Sequence, residues 1–215
     1  MNINKVQTIS ELIAKSSSIY SLGDDRLYEY EDFFYFQKKY LLRTVNSTDV
    51  KDFSKNLIIT MSWFIALSER FHFNIEKILL KRYSYKCPRC LNIPCNCSMA
   101  MEKTQKTGRP SSRKPNSLDQ WQEMIAKIYC NDKSNEILKR LENELDHLHF
   151  ICRMFRKELG KTHFKNLEIA ACDYFVSMIR VFNSKDINLC QNYNIMFADG
   201  CFACHASPCQ CNYYE

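Results

Sequence analysis

Two groups of four cysteines with identical spacing place the strongest constraint on how this chain of 215 residues can fold. Both follow the pattern C-x2-C-x4-C-x-C, with a proline directly before the third cysteine. The first cluster consists of Cys87, Cys90, Cys95 and Cys97, and the second cluster consists of Cys201, Cys204, Cys209 and Cys211. Four thiolates supply a complete tetrahedral shell for Zn²⁺. Because a full shell leaves no open coordination position, the pattern predicts two structural zinc sites that stabilise the fold and do not catalyse.

Disulfide bonds and iron–sulfur ligation are the alternatives to zinc. Residues 1–7 contain no apolar signal region, which predicts a cytoplasmic protein with reduced thiols. Compact C-x2-C turns with a proline are more typical of zinc than of an iron–sulfur cluster. His205 lies within the second cluster, but four cysteines suffice without it. The remaining cysteines lie in apolar helical sequence and are expected to be reduced core residues: Cys130, Cys152, Cys172 and Cys190.

The composition favours an all-α fold. Only four glycines and five prolines are available for turns, whereas hydrophobic residues make up 46% of the chain. The longest apolar run, residues 57–67, is far shorter than the roughly 20 residues that cross a bilayer, so no membrane segment is predicted. A net charge of +6 permits an anionic partner without requiring one.

The two halves of the chain also match upstream of the cysteines. Residues 11–15 resemble residues 123–127, and residues 53–57 resemble residues 164–167 with one deletion. We therefore predict two tandem helical-bundle repeats, 1–98 and 117–215, each ending in a small four-cysteine zinc knuckle. Thr8 and Ser117 are predicted to cap the first helix of each repeat. The predicted helices are 8–20, 25–44, 49–72 and 74–82 in the first repeat, and 117–130, 133–159, 163–182 and 185–192 in the second.

A basic segment at 99–116 is predicted to join the repeats as a solvated linker. It is rich in basic residues, and no acid occurs between positions 103 and 118. Such a segment could also contact the phosphates of a nucleic acid. Its basic residues are Lys103, Lys106, Arg109, Arg113 and Lys114.

Carboxylates on two helices of the second repeat are the candidates for a catalytic site. The candidates on the first of these helices are Glu142, Glu144 and Asp146, of which Glu142 and Asp146 share a face. Glu168 and Asp173 follow on the next helix. Together they could bind Mg²⁺, which would hold the phosphates of a nucleotide and activate water.

Asp173 is the most unusual of these acids because it lies within apolar sequence. An ionised carboxylate there requires either a metal ion or a hydrogen-bonding Tyr, Lys or Arg partner. In the first repeat Glu29 and Asp32 are paired, but residues 55–68 contain no acid. The first repeat therefore cannot form a four-carboxylate site alone.

The helix pair followed by Tyr83-x3-Cys87-Pro-x-Cys90-x4-Cys95-x-Cys97 resembles the zinc-tailed branch of the MazG-like nucleotide pyrophosphohydrolases. The resemblance implies an all-α fold in which a tandem chain corresponds to a fused dimer. It also implies Mg²⁺-dependent cleavage of nucleoside triphosphates through an E-x-x-E motif and a later E-x-x-D motif. Here the first pair is Glu142-x3-Asp146, and Ala170 stands where the second motif has its glutamate.

These departures predict a degenerate relative, or pseudoenzyme, that binds nucleotide and has weak or lost pyrophosphohydrolase activity. Glu142, Asp146, Glu168 and Asp173 are its predicted catalytic carboxylates. The alternative is a non-catalytic regulatory or assembly subunit that binds a protein partner, a second copy of the chain, or a nucleic acid through the basic linker.

Overall fold

The computed structural model describes residues 5–83, 85–97, 114–130 and 134–211. Within these ranges the chain forms eight α-helices and no strand, which confirms the all-α prediction. The basic linker lies mostly outside the described residues. The helices are α1 (Ile9–Leu27), α2 (Tyr30–Val45), α3 (Val50–Arg70), α4 (Ile75–Arg82), α5 (Leu118–Ile128), α6 (Ser134–Lys157), α7 (Lys161–Ser184) and α8 (Leu189–Met196). None of the described helices is both long and apolar enough to cross a membrane.

Hydrogen-bonded caps begin the first helix of each half, as the sequence predicts. The backbone N–H of Glu11 donates to Thr8 Oγ1 at 3.1 Å, and the N–H of Thr8 donates to the Glu11 carboxylate at 3.0 Å. The N–H of Gln120 donates to Ser117 Oγ at 3.2 Å. These bonds satisfy N–H groups that have no partner within the helix.

Four predicted helix boundaries are wrong. Helix α1 continues to Leu27 rather than ending at 20, and helix α8 ends at Met196 rather than 192. Two helices also begin later than predicted. Helix α2 begins at Tyr30 rather than 25, because the Asp32 carboxylate accepts a hydrogen bond from the Glu29 N–H at 2.8 Å and caps the helix there. Helix α8 begins at Leu189 rather than 185. Asp186 has φ 53°, a left-handed conformation that no α-helix continues through, and Asn188 then caps α8.

Both halves contribute to one hydrophobic core. Helix α2 packs on α3, α6 packs on α7, and the two pairs meet where Phe64 contacts Tyr174 and Phe175 at ring-centroid distances of 5.4 and 5.9 Å. All three rings are buried. Two neighbouring pairs of long helices therefore form the frame from which the cysteine clusters project.

Each cysteine cluster docks on the first helix of the opposite half. The N–H of Cys95 donates to the carbonyl of Ile128 in α5 at 2.6 Å, and the N–H of Cys209 donates to the carbonyl of Ile19 in α1 at 2.6 Å. Ile128 lies 109 residues after Ile19. The match of residues 11–15 with 123–127 implies an offset of 112. The docking contacts therefore relate α1 and α5 at an offset three residues smaller than the sequence match does.

The four cysteines outside the clusters are reduced, but they are not all core residues. Cys152, Cys172 and Cys190 are buried, as expected. Cys130 is exposed, because it follows the C-terminal end of α5 at Ile128 and no longer lies on the apolar face of that helix.

Candidate metal centres and ligand cleft

The sulfur atoms of the first cluster have the spacing of a single tetrahedral metal site. Cys87 Sγ lies 3.4 Å from Cys95 Sγ and 3.5 Å from Cys97 Sγ, and Cys90 Sγ lies 3.9 Å from Cys95 Sγ. Four thiolates at a Zn–S distance of about 2.3 Å would stand about 3.8 Å apart at the corners of a tetrahedron. A disulfide would require about 2.05 Å, and these cysteines are free. A multi-iron cluster would hold the thiolates farther apart, because they bind different iron atoms.

The second cluster has the same geometry. Cys201 Sγ lies 3.7 Å from Cys211 Sγ, and Cys204 Sγ lies 3.8 Å from Cys209 Sγ. Hydrogen bonds lower the pKa of Cys204 to about 6, the largest contribution being from the Gln210 N–H, which donates to Cys204 Sγ at 3.3 Å. Burial instead raises the pKa of Cys209 and Cys211. Both clusters are therefore compatible with structural zinc.

His205 occupies a turn position and is not part of the sulfur cage. Its N–H donates to the carbonyl of Cys201 at 2.8 Å, as the N–H of Leu91 does to the carbonyl of Cys87 at 2.9 Å. Both residues have positive φ, 56° at His205 and 60° at Leu91. A leucine thus fills the corresponding place in the first cluster, and a metal ligand is not needed there.

A cleft of about 400 Å³ lies between the first cluster and helices α5, α6 and α7. We name it the first cleft. Hydroxyl groups in its wall come from Tyr83, Tyr129 and Ser177. Four basic and three acidic side chains also line it: Arg89, Lys139, Arg140 and Arg180, with Glu136, Glu144 and Asp173.

Asp173 is held in the first cleft by two residues that end α4. Arg82 Nη2 donates to both carboxylate oxygens at 2.9 Å, and the Tyr83 hydroxyl donates to Oδ1 at 2.8 Å. Burial alone would lower the pKa of Arg82, but the Asp173 carboxylate outweighs burial and raises it. Burial chiefly raises the pKa of Tyr83, so its hydroxyl keeps its proton. The sequence left open whether Asp173 binds a metal ion or hydrogen-bonding side chains. In the structure it is bound by the side chains of Arg82 and Tyr83.

The four predicted catalytic carboxylates do not converge on one point. Asp146 is bonded to Lys38 at 2.6 Å, and both line a groove between α2 and α6 together with Glu142. Glu168 lies on α7 and lines neither this groove nor the first cleft. Within the described residues, the groups of three or more potential metal ligands lying within 4.8 Å of one another are the two cysteine clusters. A catalytic role for these carboxylates stays a prediction.

Glu144 is a candidate carboxylate of α6 that is not among the four predicted catalytic residues, and it lies close enough to Asp173 to feel its charge. Burial and the nearby Asp173 charge raise its pKa. A signal for this placement exists in the sequence, because Glu144 lies three residues after Leu141 and four before Leu148. Both leucines are buried, so Glu144 lies beside the apolar face of the helix.

A smaller cleft, of about 100 Å³, borders the second cluster. We name it the second cleft. Its lining contains no charged side chain among the described residues: Tyr20, Tyr40, Ile59, Ser62, Trp63, Phe197 and Phe202. Aromatic rings dominate this lining, so the second cleft is apolar where the first cleft is charged.

The two clefts occupy corresponding places in the two halves. The cysteine clusters lie 114 residues apart, and the same offset relates the ends of α3 and α7. There the N–H of Phe73 donates to the carbonyl of Ser68 at 2.8 Å, as the N–H of Ile187 does to the carbonyl of Phe182 at 3.0 Å. At this offset the charged group Arg82, Tyr83 and Asp173 corresponds to Met196, Phe197 and Ile59.

A tyrosine occupies the corresponding place in each cleft, Tyr129 in the first and Tyr20 in the second. Tyr129 directly follows Ile128, and its hydroxyl donates to Cys87 Sγ at 3.9 Å. Tyr20 directly follows Ile19, and its pKa is raised by burial and by the neighbouring Cys201 thiol. The two clefts thus share the cysteine cluster and its tyrosine, and they differ in the charged group.

Comparison with family models, with curated proteins and with solved structures yields no match for this chain.

Proposed function

We propose that this protein is a metal-stabilised helical protein that binds a nucleotide in the first cleft and hydrolyses it weakly or not at all. The observation that carries the proposal is the concentration of charged side chains in one cleft, whereas its counterpart is apolar. A cleft of about 400 Å³ is within the usual size range of small-molecule sites.

The charges in the first cleft favour an anionic ligand. Asp173 is already compensated by Arg82, so the four basic side chains of the lining exceed the two remaining acids, Glu136 and Glu144. Arginine and lysine are the residues that bind phosphate most often, through charge-assisted hydrogen bonds. Zinc with four thiolates adds a charge of −2, so the formal charge of the metal-loaded first cleft is close to zero, and the support for an anionic ligand is the four basic side chains themselves. The second cluster carries the same charge, although the described lining of its cleft holds no basic residue. The basic residues of the first cleft are therefore not required to hold a cluster.

Weak or lost hydrolysis is supported by the partners of the carboxylates. Mg²⁺ binds through carboxylate and water oxygens in near-octahedral geometry. Arg82 donates to both oxygens of Asp173, and Lys38 is bonded to Asp146. These cations neutralise two of the four predicted carboxylates, which leaves less negative charge to attract Mg²⁺.

The proposal includes an origin by tandem duplication, as in the fused dimer that the resemblance to MazG-like proteins implies. Its support is the reciprocal docking of the two clusters, through Cys95 on Ile128 and Cys209 on Ile19. Such exchange is characteristic of an isologous interface between two copies.

Calorimetric titration with a panel of nucleoside triphosphates, without and with Mg²⁺, tests the binding. We expect at least one nucleotide to bind without Mg²⁺, and we expect the double variant Lys139→Ala/Arg140→Ala to weaken it about tenfold or more, since charged hydrogen bonds contribute about 1.5–3 kcal/mol each. The matched control is Lys38→Ala/Lys39→Ala, which removes two lysines from the groove on the other side of α6. Absence of binding across the panel would contradict the proposal.

Pyrophosphate release tests the second part of the proposal. We expect wild type and Asp173→Ala to release no more than traces with Mg²⁺ or Mn²⁺, and we expect Asp173→Ala to leave Mg²⁺ affinity unchanged. Robust turnover that the substitution abolishes would instead make Asp173 a working metal ligand.

Exposed apolar residues on α2 favour a second candidate function, assembly with a protein partner or a second copy. Tyr35 is 61% exposed and Leu42 is 58% exposed, and both line the groove between α2 and α6. Sedimentation equilibrium tests this candidate: a monomer that stays monomeric at high concentration would leave self-assembly without support.

A further inference from the structure

The first cluster forms one wall of the first cleft. Residues Cys87, Pro88, Arg89, Cys95 and Cys97 all belong to the lining. Arg89 stands between the first two cysteines of the cluster, so metal ligands hold the backbone on both sides of it. A metal ion that fixes the cysteines therefore also fixes the backbone from which the Arg89 side chain extends at the edge of the cleft.

A chain of contacts links the same cluster to a basic residue on the opposite wall. Tyr129 donates to Cys87 Sγ, and the Arg180 guanidinium lies over the Tyr129 ring, 4.0 Å from its centroid. Arg180 is only 6% exposed, so its position depends on these packed neighbours. The N–H of Cys95 also holds the cluster against α5 through the carbonyl of Ile128.

Among the described residues, none from the second cluster lines the first cleft. The second cluster docks on α1, where Ser207 Oγ donates to the carbonyl of Ser18 at 3.0 Å, and its Phe202 lines the second cleft. The two clusters therefore have the same ligands and spacing but a different relation to the charged cleft.

We propose that metal binding at the first cluster controls the affinity of the first cleft for its anionic ligand, whereas the second cluster only stabilises the fold. This inference rests on the proposed function. Because linkage between two binding sites is reciprocal, ligand in the cleft raises the metal affinity of the first cluster by the same factor.

Matched cysteine variants test the control of ligand affinity. Cys95→Ser/Cys97→Ser removes two ligands of the first cluster, and Cys209→Ser/Cys211→Ser removes the corresponding two of the second. ATP without Mg²⁺ is the probe, with metal content measured by elemental analysis and helix content by circular dichroism. We expect the first variant to bind ATP about tenfold or more weakly, within the usual range of coupling between sites, and the second to bind it like wild type.

Two tyrosine variants keep all cysteines and so cover the case in which the first cysteine variant does not fold. Tyr129→Phe removes the hydroxyl that donates to Cys87, and Tyr20→Phe makes the matched change in the other half. We expect Tyr129→Phe to weaken ATP binding several-fold and Tyr20→Phe to leave it unchanged. Equal ATP affinity in both tyrosine variants would overturn the inference.

The reciprocal effect is measured on metal release. In Cys209→Ser/Cys211→Ser the first cluster is the remaining four-cysteine site, and saturating ATP should slow the transfer of its zinc to a chromophoric chelator. In Cys95→Ser/Cys97→Ser, ATP should not change the release from the second cluster. An unchanged rate in the first of these variants, while wild type binds ATP, overturns the inference and leaves the proposed function standing. Failure of metal-loaded wild type to bind ATP or any other nucleotide of the panel overturns both.

Discussion

The first cleft and the second cleft are built on the same frame but differ in polarity. Each borders a four-cysteine cluster that docks on the first helix of the opposite half, and each contains the tyrosine that follows the docking isoleucine. In the first cleft the end of α4 supplies Arg82 and Tyr83 to Asp173, whereas apolar residues stand at the corresponding positions beside the second. The two halves thus have similar cleft frames, and charged residues line only the first of the two clefts.

All three residues of the charged group, Arg82, Tyr83 and Asp173, have apolar counterparts beside the second cleft. Electrostatics explain why the three differ together. A carboxylate that is 21% exposed is stable when a guanidinium and a hydroxyl bind it, and removal of either partner leaves an uncompensated charge. Replacing all three residues by apolar ones removes the charges together with their desolvation cost. Either arrangement can therefore be stable, whereas a mixture of the two is destabilised by the charge left without a partner.

The four-cysteine cluster is the feature that both clefts share, so we expect removal of metal from the clusters to have the largest effect on stability. Loss of the ions should lower the melting temperature by about 10 °C or more, since structural zinc contributes several kcal/mol and each kcal/mol shifts a chain of this length by about 2–4 °C. Differential scanning calorimetry before and after chelation measures the shift, and added zinc should reverse it. An unaltered melting temperature after verified removal would refute structural metal.

Introducing a carboxylate into the second cleft without its Arg and Tyr partners should have the next largest effect on stability. Ile59 is 3% exposed, and the positions that would have to bind a new carboxylate hold Met196 and Phe197. Ile59→Asp should therefore cost about 3–5 kcal/mol in the free energy of unfolding, the range for an uncompensated buried charge. Urea unfolding measures it, with Ile59→Val as the control at about 1 kcal/mol. A cost for Ile59→Asp no larger than that of the control would break the correspondence between the clefts.

Removing the carboxylate from the charged cleft should cost less, because the pair is partly exposed. Asp173→Ile leaves Arg82 uncompensated and should cost about 2 kcal/mol, between the values for exposed and buried pairs. The triple variant Arg82→Met/Tyr83→Phe/Asp173→Ile copies the second cleft and should recover part of that stability. If the change in the free energy of unfolding of the triple variant equals the sum of the changes in the three single variants, the three residues do not act as a set.

The smallest expected effect concerns Glu144, whose pKa burial and Asp173 raise above its ordinary value of 4.5. The folded protein then binds this proton more tightly than the unfolded chain does, so stability falls as pH rises from the ordinary pKa through the raised one. Glu144→Gln should remove this loss: it should match wild type at low pH and be more stable above that window. Urea unfolding across a pH series measures the difference, and parallel curves for the two proteins would show that Glu144 is not responsible.

Local features of the fold could be predicted from the sequence because they depend on neighbouring residues. Thr8 and Ser117 cap their helices through residues three positions away, and both cysteine clusters are complete within eleven residues. Spacing was therefore sufficient to predict the number and order of the helices and the grouping of the cysteines, but not every helix boundary.

Contacts distant in sequence could not be predicted in this way. Arg82 and Asp173 are 91 residues apart, and no periodicity relates them. Helix α6 carries acids on both sides of its apolar face, so which of them meets α7 depends on how the helix is rotated in the core. That rotation places Glu144 in the first cleft and Glu142 in the groove beside α2.

The most direct test of the account is to map where a nucleotide binds. Amide and side-chain resonances of the zinc-loaded protein can be followed by nuclear magnetic resonance during titration with ATP. We predict shifts at Arg89, Lys139 and Ser177 in the first cleft, and none at Ile59 and Trp63 in the second. Shifts centred on the second cleft, or none in either, would contradict the claim that the charged cleft is the ligand site.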